Sequence, residues 1–553
     1  MALIALQHIY ISNYLLLPVI LFLCGSRLWS FLRNYQTAKD LQIPILVSPI
    51  SWQNPLWMLL GETIGRPLQC LPFCRRFGWQ IHDKYLMHEH LGPVFVIVSP
   101  SDNEIVISDP TTALEILHNW RHFPKSPVQT HMFEIFGPNV GTIWDNDWAR
   151  HRKMTSVIFK ESNYGLVWEV TRRQIEELTG SWTKSARQSR AISLEEITSA
   201  ASALALHVLV VAGFGSKDND NNEYTHLTLE PGHSLSYIDS LRIILRNLTA
   251  ISFLQCFNVY DKFLPRSFRM AYLAERIRAE RENILMGNST SQSNLLSSLV
   301  SANEVFRSHD TKGLATYKPY LSDLELQGNL FTFNLAGYET TSGDVQEWVY
   351  EETVAFLYGS QSYKECFPKV TRCLAILVSG FKDTTVRSVA ELTNNYSMKH
   401  CPRYTNEEPW TLTIGGREIL VPKRTYVTIN CTTLMTDPKS WGADSLEYNP
   451  YRWIKTVVNG NDRREQLLPP SEGTFIPWSY GPRVCQGKKW SEVEFVAVIA
   501  FLVRNNRIEV ARRIGESKVD ATNRLRNVLE DSYMNISPKI RCPREGGIFC
   551  TKR

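Results

Sequence analysis

Pro477-Trp478-Ser479-Tyr480-Gly481-Pro482-Arg483-Val484-Cys485-Gln486-Gly487 is the stretch on which the fold turns. One cysteine stands between a Gly-Pro-Arg turn and a glycine, and Lys488-Lys489-Trp490 with an apolar run through Leu502 follows. Gly481-Pro482 predicts a tight turn, and Gly487 a place where the backbone passes close to something flat. The residues after Cys485 read as a helix, so the thiol sits at a helix N-terminus, where amide groups and the macrodipole favour a thiolate. A buried structural cysteine in a Gly/Pro loop is the competing reading, and it is the better one for a thiol considered alone.

An open thiolate on a Gly-rich turn suits the axial ligation of haem iron. Arg483, two residues earlier, is placed to meet a haem propionate with a bidentate pair. The run resembles the haem-thiolate loop of the cytochrome P450 family, whose pattern is Phe-x-x-Gly-x-Arg-x-Cys-x-Gly. Trp478 stands where the family has Phe, and Gly481, Arg483, Cys485 and Gly487 match.

The chain has 553 residues, 43% apolar and 21% charged, enough for a large core. No Ser/Gly-rich linker, repeat or low-complexity tract divides it. The resemblance therefore implies a mainly α fold with small β-sheets, as a single large haem-thiolate domain over residues 34–553 that follows an N-terminal membrane helix. The net charge of +5 is mild and gives no sign of nucleic acid. Eleven scattered cysteines, an odd total with no C-x-x-C pair, fit a reducing compartment.

Ile9 to Cys24 is mostly apolar, interrupted by Ser12, Asn13 and Pro18. With its flanks it reaches the roughly 20 residues that span a bilayer. No Lys or Arg precedes it, whereas Arg27, Arg33 and Lys39 follow, which leaves the remainder on the cytosolic side. Residues 1–33 are thus expected to be a single-pass anchor, in the endoplasmic reticulum by the resemblance. A cleaved signal peptide, which lacks its basic start here, and a buried core helix are the rivals. Pro44 and Pro49 flank an apolar stretch that reads as a stiff connector.

Val94–Val98 and Glu104–Ile107 read as a strand pair turning at Pro100-Ser101-Asp102-Asn103. Thr111 to Val300 reads mostly as helix. A second pair, Trp410–Ile414 and Glu418–Val421, turns at Gly415-Gly416, with Thr425–Asn430 after it.

Trp148 and Arg152 lie four apart on one face of a helix. The resemblance assigns this Trp-x-x-x-Arg pair to a haem propionate, against an ordinary cation–π pair as the alternative; His151 reads as a surface residue. Ser322-Asp323-Leu324-Glu325 is a capping box. The helix behind it carries Asn334-Leu335-Ala336-Gly337-Tyr338-Glu339-Thr340-Thr341, similar to the family's oxygen-activating segment. There Ala336 and Gly337 leave room above the haem, Thr340 offers a hydroxyl, and Glu339 relays protons. Arg452, in Asn449-Pro450-Tyr451-Arg452-Trp453, matches the arginine that pairs in the family with a Glu-x-x-Arg helix.

Two departures interrupt the match. A helix starts afresh at Asp344-Val345-Gln346-Glu347, as if about a dozen residues, three turns, were missing. In the second, Thr384 holds the expected glutamate position before Arg387, with Asp383 as a possible substitute. The arginine pair then lacks its carboxylate, at about 3–5 kcal/mol.

The resulting expectation is a haem b monooxygenase with Cys485 as the iron ligand, inserting one oxygen atom from O2 into a small apolar substrate, in the manner of fungal secondary metabolism. Met132-Phe133-Glu134-Ile135-Phe136 falls where the family lines its substrate pocket. The resemblance implies an NADPH-dependent flavin reductase as electron donor, with Arg150, Arg152, Lys153, Lys488 and Lys489 as a basic docking face. The alternatives are a decayed chain that binds haem poorly, and a haem protein that catalyses rearrangement or dehydration instead.

Overall fold

The computed structural model describes residues 2–51, 78–213, 247–256, 271–286, 295–309, 319–335, 346–357, 361–382, 401–459, 462–534 and 538–553, with scattered positions in 53–67 and 240–244. Chain contacts divide it into two units: Met1–Ser126 with His400–Thr433, and Pro127–Lys399 with Leu434–Arg553.

The first unit opens on α1 (Ala2–Asp40). Its exposed face carries Leu21, Phe22, Leu28, Trp29 and Leu32. From Asn34 onward α1 docks: Asn34 Nδ2 donates to the Ser99 carbonyl at 2.9 Å, and Asn103 Nδ2 to the Asn34 carbonyl at 2.8 Å. The five-stranded sheet runs in the order Ile45–Val47, Val94–Val98, Asn103–Ile107, Tyr426–Ile429, Cys401–Tyr404. Both expected strand pairs form, the second as the hairpin Trp410–Ile414/Arg417–Val421 with Gly415 and Gly416 at positive φ. The Pro44–Pro49 stretch is not a connector: Ile45–Val47 is an edge strand, parallel to Val96–Val98. A partner fifty residues away, invisible to a local reading, supplies its hydrogen bonds.

The second unit is mainly helical. Its helices that matter here are α2 (Asp145–Ser156), α3 (Glu161–Arg187), α4 (Leu194–Val208), α5 (Asp323–Leu335), α6 (Gln346–Leu357), α7 (Thr371–Lys382) and α8 (Lys488–Asn505). α8 is buried continuously from Val493 to Val503, the pattern of a central helix. α3 packs on it, with the Trp168 ring meeting Phe501 edge-on at 5.5 Å. Small antiparallel sheets complete the unit: Ile454–Asn459 with Asp462–Leu467, Ser532–Met534 with Pro538–Ile540, and Asn506–Val510 with Gly547–Lys552 and Ile192–Ser193.

Among the described residues, one helix is long and apolar enough to cross a membrane: α4 with its π-helical extension to Gly213. Most of it is buried among the second unit's core side chains, which accounts for its apolarity. Where α5 crosses the loop before α2, both sides are glycine. A Cβ on Gly328 would lie 2.5 Å from the Gly137 carbonyl oxygen, and one on Gly137, at φ +116°, 2.6 Å from that of Leu324. Only two bare backbones approach so closely.

Candidate haem-thiolate site

The Pro477–Gly487 loop is closed by its own backbone. Cys485 N donates to the Trp478 carbonyl at 2.9 Å and Val484 N to that of Gly481 at 3.1 Å, with Ser479 and Gly481 at φ 65° and 68°. The tight turn at Gly481-Pro482 is there as expected. α8 starts at Lys488 with Gly487 as its N-cap, so Cys485 lies just ahead of a helix N-terminus. Cys485 is exposed and takes part in no disulfide, so it is not a buried structural thiol. Gly487 has an ordinary φ of −78°, and a Cβ there would meet Cys485 Sγ at 3.8 Å and Phe159 at 3.9 Å. The polypeptide itself therefore does not demand glycine at this position; the space beside the sulfur is what glycine keeps.

Trp478 braces the loop. Its Nε1 donates to Ser491 Oγ at 3.1 Å, and its ring meets Phe475, which in turn meets Trp453. Gln486 ties the loop to α2, donating to the Arg152 carbonyl at 3.1 Å and accepting from Thr155 Oγ1 at 2.8 Å.

α2 and the loop bring two guanidinium groups to one place. Arg152 is half-buried and donates to the Val484 carbonyl at 2.7 Å. No carboxylate among the described residues pairs with it. Burial lowers its pKa, and the Cys485 sulfur opposes that only in part. Arg483 lies over the rings of Trp144 and Trp148, at 4.9 and 5.0 Å, and donates to the carbonyls of Val140 and Ile143 at 3.2 and 3.1 Å. Two guanidiniums and an open sulfur at a gap kept by glycine fit a flat, metal-bearing group with two carboxylates, as haem is. The under-compensated charge of Arg152 is the observation that makes the fit specific.

Ala336, Gly337, Glu339 and Thr340 lie outside the described residues, as do Asp383, Thr384 and Arg387. The capping box that leads to the first four is present: Ser322 N donates to Glu325 Oε2 at 2.8 Å. Ile135 and Phe136 are buried, and the Phe136 ring meets Phe331 of α5 at 4.5 Å.

Three expectations are corrected. His151 is not a surface residue but fully buried, between Glu325 and Asn329 of α5. Arg150 is no part of a docking face, because its guanidinium is held by Glu325 Oε1 at 2.5 Å and the Tyr320 carbonyl at 2.7 Å. Arg452 does not lack a carboxylate: it meets Asp444 Oδ2 at 2.7 Å and the carbonyls of Asp444 and Trp441 at 3.0 and 3.2 Å. The α7 residue facing the Arg452–Trp453 turn is buried Ser379, whose Oγ accepts from Trp453 Nε1 at 2.8 Å. Sequence reasoning missed Asn329, Asp444 and Ser379. A signal existed for the first: Asn329 is a polar residue one turn after Glu325, on the same helix face.

The profile described as Cytochrome P450 matches residues 68–351 and 398–530. The chain is 24% identical to the phomenoic acid biosynthesis cluster cytochrome P450 monooxygenase of Leptosphaeria maculans, over 97% of each chain. It is 28% identical to cytochrome P450 monooxygenase 124 of Postia placenta, over 78% of this chain and 80% of that one. It is 24% identical to cytochrome P450 monooxygenase prx9 of Penicillium rubens, over 85% and 87%. With the profile covering well over half of its length, the chain belongs to the cytochrome P450 family of monooxygenases.

Proposed function

We propose that the chain is a haem b monooxygenase in which Cys485 ligates the iron and Arg152, Arg483 and Trp148 hold the propionates, with Trp478 and Gly481 shaping the loop. The observation that carries this reading is the half-buried Arg152, which has no carboxylate partner among the described residues and lies beside an exposed thiol. The bound haem supplies activation of O2, and thiolate donation to the iron favours cleavage of the O–O bond. The protein's own part is to fix the loop by its backbone, to orient the guanidiniums, and to keep the space beside Gly487 clear. Ala336 and Gly337 are assigned to the opposite face as small residues, with Thr340 donating a hydrogen bond and Glu339 moving protons there.

The substrate is a small apolar molecule of secondary metabolism. The named relative in a phomenoic acid cluster supports this class, as do the buried apolar Ile135 and Phe136 against α5. Electrons come from an NADPH-dependent flavin reductase docking at exposed Lys153 and Lys488 and half-buried Lys489. α1 serves as the membrane anchor: its exposed apolar stretch ends where Asn34 begins to dock on the sheet. The catalytic domain then lies on the cytosolic side of the endoplasmic reticulum.

The test is the reduced, carbon-monoxide-bound spectrum of the expressed protein and of Cys485→Ala. A red-shifted Soret band in the first that is lost in the second is expected. A band that survives the substitution assigns the iron to another ligand.

A further inference from the structure

Asn329 of α5 is oriented by the backbone of the loop before α2. Val140 N–H donates to its Oδ1 at 2.8 Å, so its amide nitrogen must face the other way. That nitrogen lies 2.9 Å from His151 Nδ1 and 2.6 Å from the Glu325 carbonyl, which uses both of its hydrogens. A donor aimed at Nδ1 requires a lone pair there, so the imidazole hydrogen sits on Nε2. Nε2 faces Glu325 Oε1 at 3.1 Å, and the carboxylate accepts it. Arg150 and the Ser322 amide also bind that carboxylate and hold it well below the usual carboxyl range against the opposing effect of burial.

His151 and Asn329 are fully buried, Glu325 and Arg150 mostly so, and each is hydrogen-bonded, the condition under which a polar network specifies one arrangement. Its far end reaches the haem site. Val140, whose N–H orients Asn329, gives its carbonyl to Arg483 at 3.2 Å. His151 itself sits directly before Arg152 on α2, and its carbonyl accepts from Thr155 Oγ1, which also binds Gln486 of the thiolate loop.

We propose that His151, as the Nε2–H tautomer fixed by Asn329, is a positioning residue that aims Arg483 and Arg152 at the propionates. It touches neither iron nor substrate. It links α5 to α2 through one donor and one acceptor, so the oxygen-side helix and the propionate-side loop share a single register. This rests on the haem-thiolate reading above.

The experiment uses holoprotein reconstituted with haem, with wild type first shown to give the red-shifted carbon monoxide band; failure at that step belongs to the haem-thiolate reading. The propionate bending modes are then read by resonance Raman, and haem loss by transfer to apomyoglobin. His151→Leu keeps the volume and removes both hydrogen bonds. It should shift the propionate modes and speed haem loss about tenfold, the factor corresponding to about 1.4 kcal/mol for one charge-assisted hydrogen bond. His151→Gln restores an N–H toward Glu325 and a carbonyl toward Asn329, and should return both readouts to wild type. Should His151→Leu not accumulate, Asn329→Asp sets an acceptor against Nδ1 without altering the ring, and should also shift the modes. Wild-type modes and haem loss in His151→Leu or in Asn329→Asp, or no rescue by Gln, overturn the proposal.

Discussion

Gly328→Ala is the substitution whose sign tests the packing of α5. In a helix interior, replacing glycine by alanine ordinarily gains about 1 kcal/mol. Here the new Cβ would stand 2.5 Å from the Gly137 carbonyl oxygen and 2.6 Å from that of Pro138, both backbone atoms. To reach even 3.0 Å, below which Cβ contacts essentially never occur, the helix and the loop must part by at least 0.5 Å. Overpacking of this kind costs about 1–3 kcal/mol. Rigid backbone on both sides puts it at the upper end, for a net loss of about 1–2 kcal/mol once the propensity gain is subtracted. Gly180→Ala in α3 is the control, since no atom outside its own helix backbone lies within 4 Å of a Cβ there. It should stabilise by about 1 kcal/mol. Urea unfolding of the holoprotein, followed by tryptophan fluorescence and by Soret absorbance, reads both variants. Because the parted loop carries Val140 and Ile143, the Soret transition of Gly328→Ala should move further than the fluorescence transition. A Gly328→Ala midpoint raised like that of Gly180→Ala refutes the close crossing.

The other expectations concern two charges. Asp444→Asn removes the carboxylate of Arg452 while leaving the carbonyls of Trp441 and Asp444 in place. Asp444 is 43% exposed, so the loss should be about 1 kcal/mol, well short of a buried pair, and should shrink as salt rises; an unchanged urea midpoint at low salt rules out that role. Glu494 of α8 is buried with Trp490 Nε1 at 3.2 Å, and burial pushes its carboxyl up to about 8 from 4.5. The folded protein keeps a proton there that the unfolded chain releases above pH 4.5, so this group costs stability increasingly as pH rises from 4.5 toward 8. Glu494→Gln should match wild type at acid pH and exceed it progressively up to pH 8, by about 4 kcal/mol. Parallel stability curves for the two would contradict the buried, protonated carboxyl.

What the sequence made legible was carried by fixed spacing. The thiolate loop has four matched positions within seven residues, and Trp148 and Arg152 share a face because a helix repeats every 3.6 residues. Both hairpins announced themselves through their turn residues, the first also through strands rich in Val and Ile. What stayed hidden depends on partners remote in the chain. His151 sits in the run Arg150-His151-Arg152-Lys153, which looks solvated until Glu325 and Asn329, 174 and 178 residues away, close over it. Arg150 was misread for the same reason. Ile45–Val47 looked like a connector because its sheet partner begins at Val96. Asp444, only eight residues from Arg452, was within reach of a local reading and was passed over because the family's pattern pointed to a more distant glutamate.

The break in the family match over residues 352–397 falls on α7, where the Glu-x-x-Arg helix was expected. The physical question is whether the proximal loop is still held without that glutamate. Three sets of contacts say that it is. Arg452 finds Asp444 in its own loop, so the cost of about 3–5 kcal/mol for an unpaired buried charge is avoided. Trp453 is pinned by Ser379 and meets the rings of Trp441, edge-on, and of Phe475, which leads on to Trp478 of the thiolate loop. α7 is itself fastened at its start: Glu352 of α6 accepts from the amides of Arg372 and Cys373 at 2.7 and 3.1 Å, and Arg372 pairs with Glu465 at 2.8 Å. α6 in turn pairs edge-on with a strand, Gln346 exchanging both amide hydrogen bonds with Ile508 at 2.9 and 2.7 Å. The buttress of the loop has thus passed from one shared carboxylate to several local contacts. The expectation of a chain that binds haem poorly rested on a shortened helix and on the missing carboxylate; the Arg452–Asp444 pair removes the second ground, whereas the helix residues concerned, 336–345, lie outside the described ones.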